Sequence, residues 1–172
     1  MFMKRYIIIP IIFLLLPLQL FSQSTMAELQ KVFIFNFIRY TEWPGLENQL
    51  TFRIGILGEN NELTEELRKS IHQNKIGGRP IEVVEFKNLE NITACHILFV
   101  PSNRISMLRR VSKMLAGISV MIITEMNEFV PKHSVINLMI EPNGKMTFTI
   151  NRNEAIDRGL IINNHLFELS KK

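Results

Sequence analysis

Four histidines, one cysteine and a handful of serines are the side chains in this 172-residue sequence from which catalysis or metal binding would most readily be built. His72, His96, His133 and His165 stand far apart. No two of them take the HxH or HxxxH spacing that sets a pair of ligands on one face of a strand or helix. Cys95 and His96 are adjacent, so in a strand their side chains leave on opposite faces and cannot share one ion. A single cysteine excludes an intramolecular disulfide, a cysteine-rich zinc site and a CxxC redox pair. It reads as a small buried hydrophobe, and its use as a nucleophile with His165 would require folding to bring the two together.

The other motifs of chemistry are equally incomplete. Gly55-Ile-Leu-Gly58 sits between a strand and a helix but lacks the third glycine of GxGxxG and any GK[ST]. Ser102, Ser106 and Ser134 lie in no GxSxG elbow. Glu65 and Glu66 read as acids on a helix surface. The sequence therefore predicts no catalytic residue, no cofactor and no metal, and points to binding. The candidates for an interaction surface are Val32, Phe35 and Arg39. On a helix over residues 27–43, Leu29, Phe33, Phe37 and Tyr40 recur along one face, which Ile34 and Ile38 widen. Phe35 and Val32 fall instead among Glu28, Lys31, Asn36 and Arg39, away from the stripe one core can take. Trp43 reads as a core anchor at the helix end, and Pro44 as the stop.

The elements that would position this surface alternate. Residues 51–57 form a β-rich run, and residues 61–72 a helix with acids early and Arg68 and Lys69 late, an order that suits the helix dipole. Gly77-Gly78 makes a turn. Further strands are expected at 80–86, 94–100 and 119–124, with a helix at 104–115. Residues 135–140 and 145–150 alternate around Pro142-Asn143-Gly144, a strong hairpin signal. Asn151 with Glu154 resembles a capped helix start, Gly159 a left-handed helix end, and Asn163 or Asn164 the cap of a last short helix. The expected fold is a single α/β domain: a mainly parallel sheet flanked by helices, with a C-terminal β-hairpin and helix.

Residues 1–22 have the order of a secretory signal peptide. Lys4-Arg5 precedes an apolar run that is short for a membrane span, and Ser22 offers a cleavage site. The mature domain is then 23–172. Loss of Lys4 and Arg5 takes the net charge from +4 to +2, no footprint for nucleic acid.

Six segments in order resemble the YfiR family of periplasmic regulatory proteins. They are Lys31-Val-Phe-Ile-Phe-Asn-Phe-Ile-Arg-Tyr-Thr-Glu-Trp-Pro44, Phe52-Arg-Ile-Gly-Ile-Leu-Gly58 and Gly78-Arg-Pro-Ile-Glu-Val83. They continue with Cys95-His-Ile-Leu-Phe-Val100, the most distinctive, then Gly144-Lys-Met-Thr-Phe-Thr-Ile-Asn151, and Ala155 with Gly159-Leu160. The resemblance spans about residues 27–170. It implies an exported regulator in the periplasm, not an enzyme. The partner it implies is a membrane-bound signalling protein, of diguanylate cyclase (c-di-GMP signalling) or sensor kinase type, engaged through its periplasmic part. Self-association into a homodimer stands open beside it. Better-known members carry further cysteines, so the redox control attributed to their disulfides does not transfer to a chain with Cys95 alone. The rival reading is a periplasmic small-ligand binder, for which a concave apolar pocket near Gly58, Pro101 and Thr124 is expected at the carboxyl ends of the strands.

Overall fold

The computed structural model describes residues 25–59, 61–72 and 74–171. The expected signal peptide lies outside the described residues.

A seven-stranded sheet forms the middle layer. Its strands are β2 (Phe52–Leu57), β3 (Lys75–Ile76), β4 (Arg79–Phe86), β5 (Ile97–Val100), β6 (Met121–Glu125), β7 (Ile136–Ile140) and β8 (Met146–Ile150), in the order β3-β4-β2-β5-β6-β7-β8. The five inner strands run parallel, and the two edge strands pair antiparallel as the outer arms of hairpins. This is the expected α/β architecture. Strand order reverses between β2 and β5, so the chain winds onto both faces.

The buried apolar residues divide by face. One cluster packs α1 (Met26–Arg39), α2 (Glu62–Ile71) and the short C-terminal helices α4 (Arg152–Asp157) and α5 (Asn164–Leu169) onto Phe52, Ile54, Ile97, Phe99, Ile123 and Phe148. The other packs α3 (Leu108–Met114) and the 3₁₀ turn Leu89–Asn91 onto Leu57, Leu98, Val100 and Ile122. Every residue of β5 is buried, as a parallel strand covered on both faces must be. In β2, Gly55 admits the Phe86 ring to a space that any Cβ would occupy.

Local signals explain most boundaries. Thr25 and Glu28 form a reciprocal cap at the start of α1: the Glu28 N–H donates to Thr25 Oγ1 at 3.2 Å, and the Thr25 N–H to Glu28 Oε2 at 2.9 Å. The Gly77-Gly78 turn has φ of 55° and 81°, the two left-handed residues of a tight hairpin joining β3 to β4. The hairpin around Asn143-Gly144 joins β7 to β8 in the register Ile140 with Met146. Asn151 Oδ1 accepts from the Glu154 N–H at 3.1 Å and starts α4.

Two expectations are corrected. The first helix ends at Arg39 and not at Trp43, because β1 (Thr41–Glu42) leaves the helix to pair antiparallel with β9 (Ile161–Ile162). That long-range pairing acts before Pro44 can. The helix expected at 104–115 is α only from Leu108, with a 3₁₀ stretch from Ser102 to Met107 before it.

Candidate interaction surface

The apolar side chains of α1 sort into a stripe and two flanks. The stripe is Ala27, Ile34, Phe37 and Ile38, joined by Gln30, all buried on the sheet. It is rotated from the expected one. Leu29, Phe33 and Tyr40, expected at its centre, are only partly buried. Phe33 lies on the flank toward β8, its ring 5.8 Å from Phe148 and 5.9 Å from Phe37.

The other flank holds all three candidate residues. Val32, Phe35 and Arg39 line one groove of about 560 Å³, whose far wall is the end of α2 and the edge strand β3. Val32 is 53% exposed and Arg39 is exposed, while Phe35 is half-buried and rests on the core. Phe35 is thus less free than its place among polar residues suggests. Ile76 of β3 continues the apolar floor, and Lys31, Arg39 and Lys75 make the rim basic. Lys31 Nζ is 2.8 Å from Glu66, and it is the first cause of that carboxyl lying below its usual range, Lys69 being the second. Ile76 and Lys75 escaped the sequence reading because β3 is two residues long. Their signal was the Gly-Gly pair, which is a turn only if residues on both sides pair.

The residues considered for catalysis are dispersed. Cys95 faces the α3 cluster, where burial pushes its thiol up to about 12. His96 faces the other way, stacked on Phe52 with ring centres 4.6 Å apart. Its Nδ1 accepts the Arg53 N–H at 2.9 Å, which leaves the proton of the neutral ring on Nε2. Burial lowers its pKa, and the charges of Arg53 and Arg79 act in the same direction. The Trp43 indole N–H donates to the His96 carbonyl at 2.9 Å, so Trp43 is the core anchor it was expected to be. His165 packs on Tyr40 and lies 3.4 Å from Glu168, apart from Cys95.

Gly58, Pro101 and Thr124, near which a ligand pocket was expected, do not line the hollow at this end of the sheet. A hollow of about 320 Å³ opens past the ends of β6 and β7, with Ser102, Glu125 and Leu138 among its walls. Glu125 is fixed there: Oε1 accepts the Ser102 N–H at 3.2 Å and its hydroxyl at 3.3 Å, and Oε2 accepts from the Gln30 amide.

Sheet order and groove together define the class, a doubly wound α/β module with a basic, apolar-floored surface along its first helix. The chain belongs to the YfiR/HmsC-like family, whose model matches residues 27–171. It is a family of periplasmic regulators. No curated protein matches the chain.

Proposed function

We propose that this chain is an exported regulatory module, resident in the periplasm after removal of residues 1–22. It modulates a membrane-bound signalling protein, of diguanylate cyclase or sensor kinase type, by binding its periplasmic part. The observation that carries this is the groove along α1. It gathers Val32, Phe35, Arg39 and Ile76 into one surface between α1 and β3.

The chemistry of the groove specifies its occupant. An apolar floor under Lys31, Arg39 and Lys75 favours an amphipathic segment with acidic residues beside its apolar anchors. Family membership supports a regulatory role over an enzymatic one. The test is association of the exported protein with the purified periplasmic domain of a membrane-bound diguanylate cyclase or sensor kinase from the same cell, measured by calorimetry. Saturable 1:1 binding that weakens in Arg39→Glu supports the reading. Binding indifferent to Arg39→Glu and Phe35→Ala, or a groove occupied by a second copy of this chain in sedimentation experiments, would displace it.

A further inference from the structure

The hollow past the ends of β6 and β7 joins one fixed charge to an apolar wall. It opens at the carboxyl ends of parallel strands, where sheets of this kind take ligands. Its volume of about 320 Å³ falls in the small-molecule range of roughly 300–1,000 Å³. The strand register sorts its lining by face. Glu125 pairs with Leu138 and Met146 with Ile140, and Leu138 and Ile140 share a face because side chains alternate along a strand. That face is the one α1 covers, since Leu138 and Met146 belong to the core cluster beneath the helix. Gln30 reaches it from α1 and bonds to Glu125. Glu125, Gln30, Leu138 and Met146 therefore converge, and Met26, 37% exposed at the start of α1, lines the same hollow.

Charge and hydrogen bonding narrow the ligand. Among the described residues Glu125 is held by neutral donors: the Ser102 N–H and hydroxyl on Oε1, and the Gln30 amide on Oε2. They take three of the roughly four positions at which a carboxylate accepts. No Lys, Arg or His among the described residues lines the hollow, so its walls supply no counter-charge. Gln30 is only 6% exposed, and its amide nitrogen must face the carboxylate. Its oxygen accepts no hydrogen bond among the described residues, yet the atom is not sealed from solvent, so a ligand can reach it. The site thus presents acceptors, a negative charge and an apolar wall. An ammonium on an apolar arm answers all three, with three donors and no acceptor of its own. An amino acid fits worse, because its carboxylate would meet Glu125 and Glu128 with no base to receive it.

We propose that this hollow binds a small primary amine, its ammonium on Glu125 and the Gln30 oxygen and its apolar arm against Leu138 and Met146. The site is separate from the α1 groove, with which it shares no lining residue. An amine here and a partner segment in the groove do not compete for contacts.

The test is calorimetric titration of the exported protein with phenethylamine. The comparisons are 2-phenylethanol, which exchanges the ammonium for a hydroxyl, and phenylalanine, which adds a carboxylate. Saturable 1:1 binding of phenethylamine is expected, and the other two should bind more weakly by about tenfold or more, the scale of one hydrogen bond to a charged group. Glu125→Gln keeps the side-chain volume and removes the charge, and should weaken phenethylamine by a similar factor. Met26→Lys is the second variant, since it alters an exposed residue outside the core. It brings a competing ammonium to the hollow and should abolish binding at an unchanged urea midpoint. Glu168→Gln removes an exposed acid of α5 and should bind as the unaltered chain does. Absence of saturable binding, equal binding of 2-phenylethanol, undiminished binding in Glu125→Gln or Met26→Lys, or its loss in Glu168→Gln would each overturn the proposal.

Discussion

The two flanks of α1 carry similar side chains and meet different fates. Toward β8, Phe33 joins Phe37 and Phe148 in a three-ring cluster, the Phe37 and Phe148 rings 5.0 Å apart and edge to face. Toward β3, Phe35 and Val32 meet no aromatic partner among the described residues and border an open groove instead. The difference comes from what lies opposite. β8 is a five-residue strand whose Met146 and Phe148 face the helix, and the C-terminal tail closes its outer edge through the Lys171 N–H donating to the Phe148 carbonyl at 2.8 Å. β3 is only two residues long. A helix laid across a sheet whose edges differ in length has one flank sealed and one open. The open flank is where surface for another molecule is left.

The comparison breaks first at its shared centre. Phe37 is fully buried between the flanks. Phe37→Ala should cost about 3–5 kcal/mol through transfer loss and cavity, seen as a lower urea midpoint at unchanged slope. Its binding per folded molecule should not change. Phe33→Ala and Phe35→Ala come next. Each side chain is half-buried, so each truncation should cost about 2 kcal/mol, roughly half the fully buried figure. Only Phe35→Ala should also weaken association, by about 2 kcal/mol, the lower bound of a hot-spot aromatic. Equal losses of binding in both variants would show that the groove is not the docking flank.

The flanks also show how far the sequence could be read. The alternating order of strands and helices, the Asn143-Gly144 hairpin, the Asn151 cap and the Gly159 helix end are all local signals, and the structure has each of them. The rotation of the α1 stripe was not legible, because it depends on where β8 lies across the sheet. Nor was the helix end at Arg39. Thr41 and Glu42 bond to Ile161 and Ile162, about 120 residues away, and no window around Pro44 contains that information. Val32, Phe35 and Arg39 were legible as neighbours on a helix, whereas the far wall that makes them a groove belongs to another part of the chain.

A pH test separates the groove from the packing around His96. His96 does not line the groove; it lies in a separate hollow beside Trp43 and Arg53. Its pKa is lowered on folding, by burial first. A histidine with a depressed folded pKa opposes folding only where the unfolded chain takes up the proton. Its contribution is therefore intact above the unfolded value of about 6.5 and is lost as the pH falls through and below it. Stability should decline between pH 7 and pH 5, and the decline should be shallower in His96→Asn, whose amide oxygen can still accept the Arg53 N–H. Urea midpoints across that range give the slopes. Identical slopes would assign the acid sensitivity to other groups. Partner binding through the groove should not follow this titration.

The smallest effect on the fold gives the sharpest test of the open flank. Val32 is 53% exposed and none of the buried core depends on it. Surface exchanges of this kind usually stay within about 0.5 kcal/mol, so Val32→Asp should leave the urea midpoint almost unchanged. Its neighbours on the groove are Lys31, Arg39 and Lys75, and a carboxylate among them is electrostatically tolerated by the free protein. An acidic, apolar partner segment meets the opposite situation. It loses an apolar contact, gains a like charge and finds the basic rim partly neutralised. Association should weaken by more than about tenfold, or about 1.4 kcal/mol, and the weakening should ease as salt screens the repulsion. Phe35→Ala confounds fold and surface, because Phe35 rests on the core. Val32→Asp does not, so unchanged binding in this variant would mean that the flank β3 leaves open is solvent-facing and nothing more.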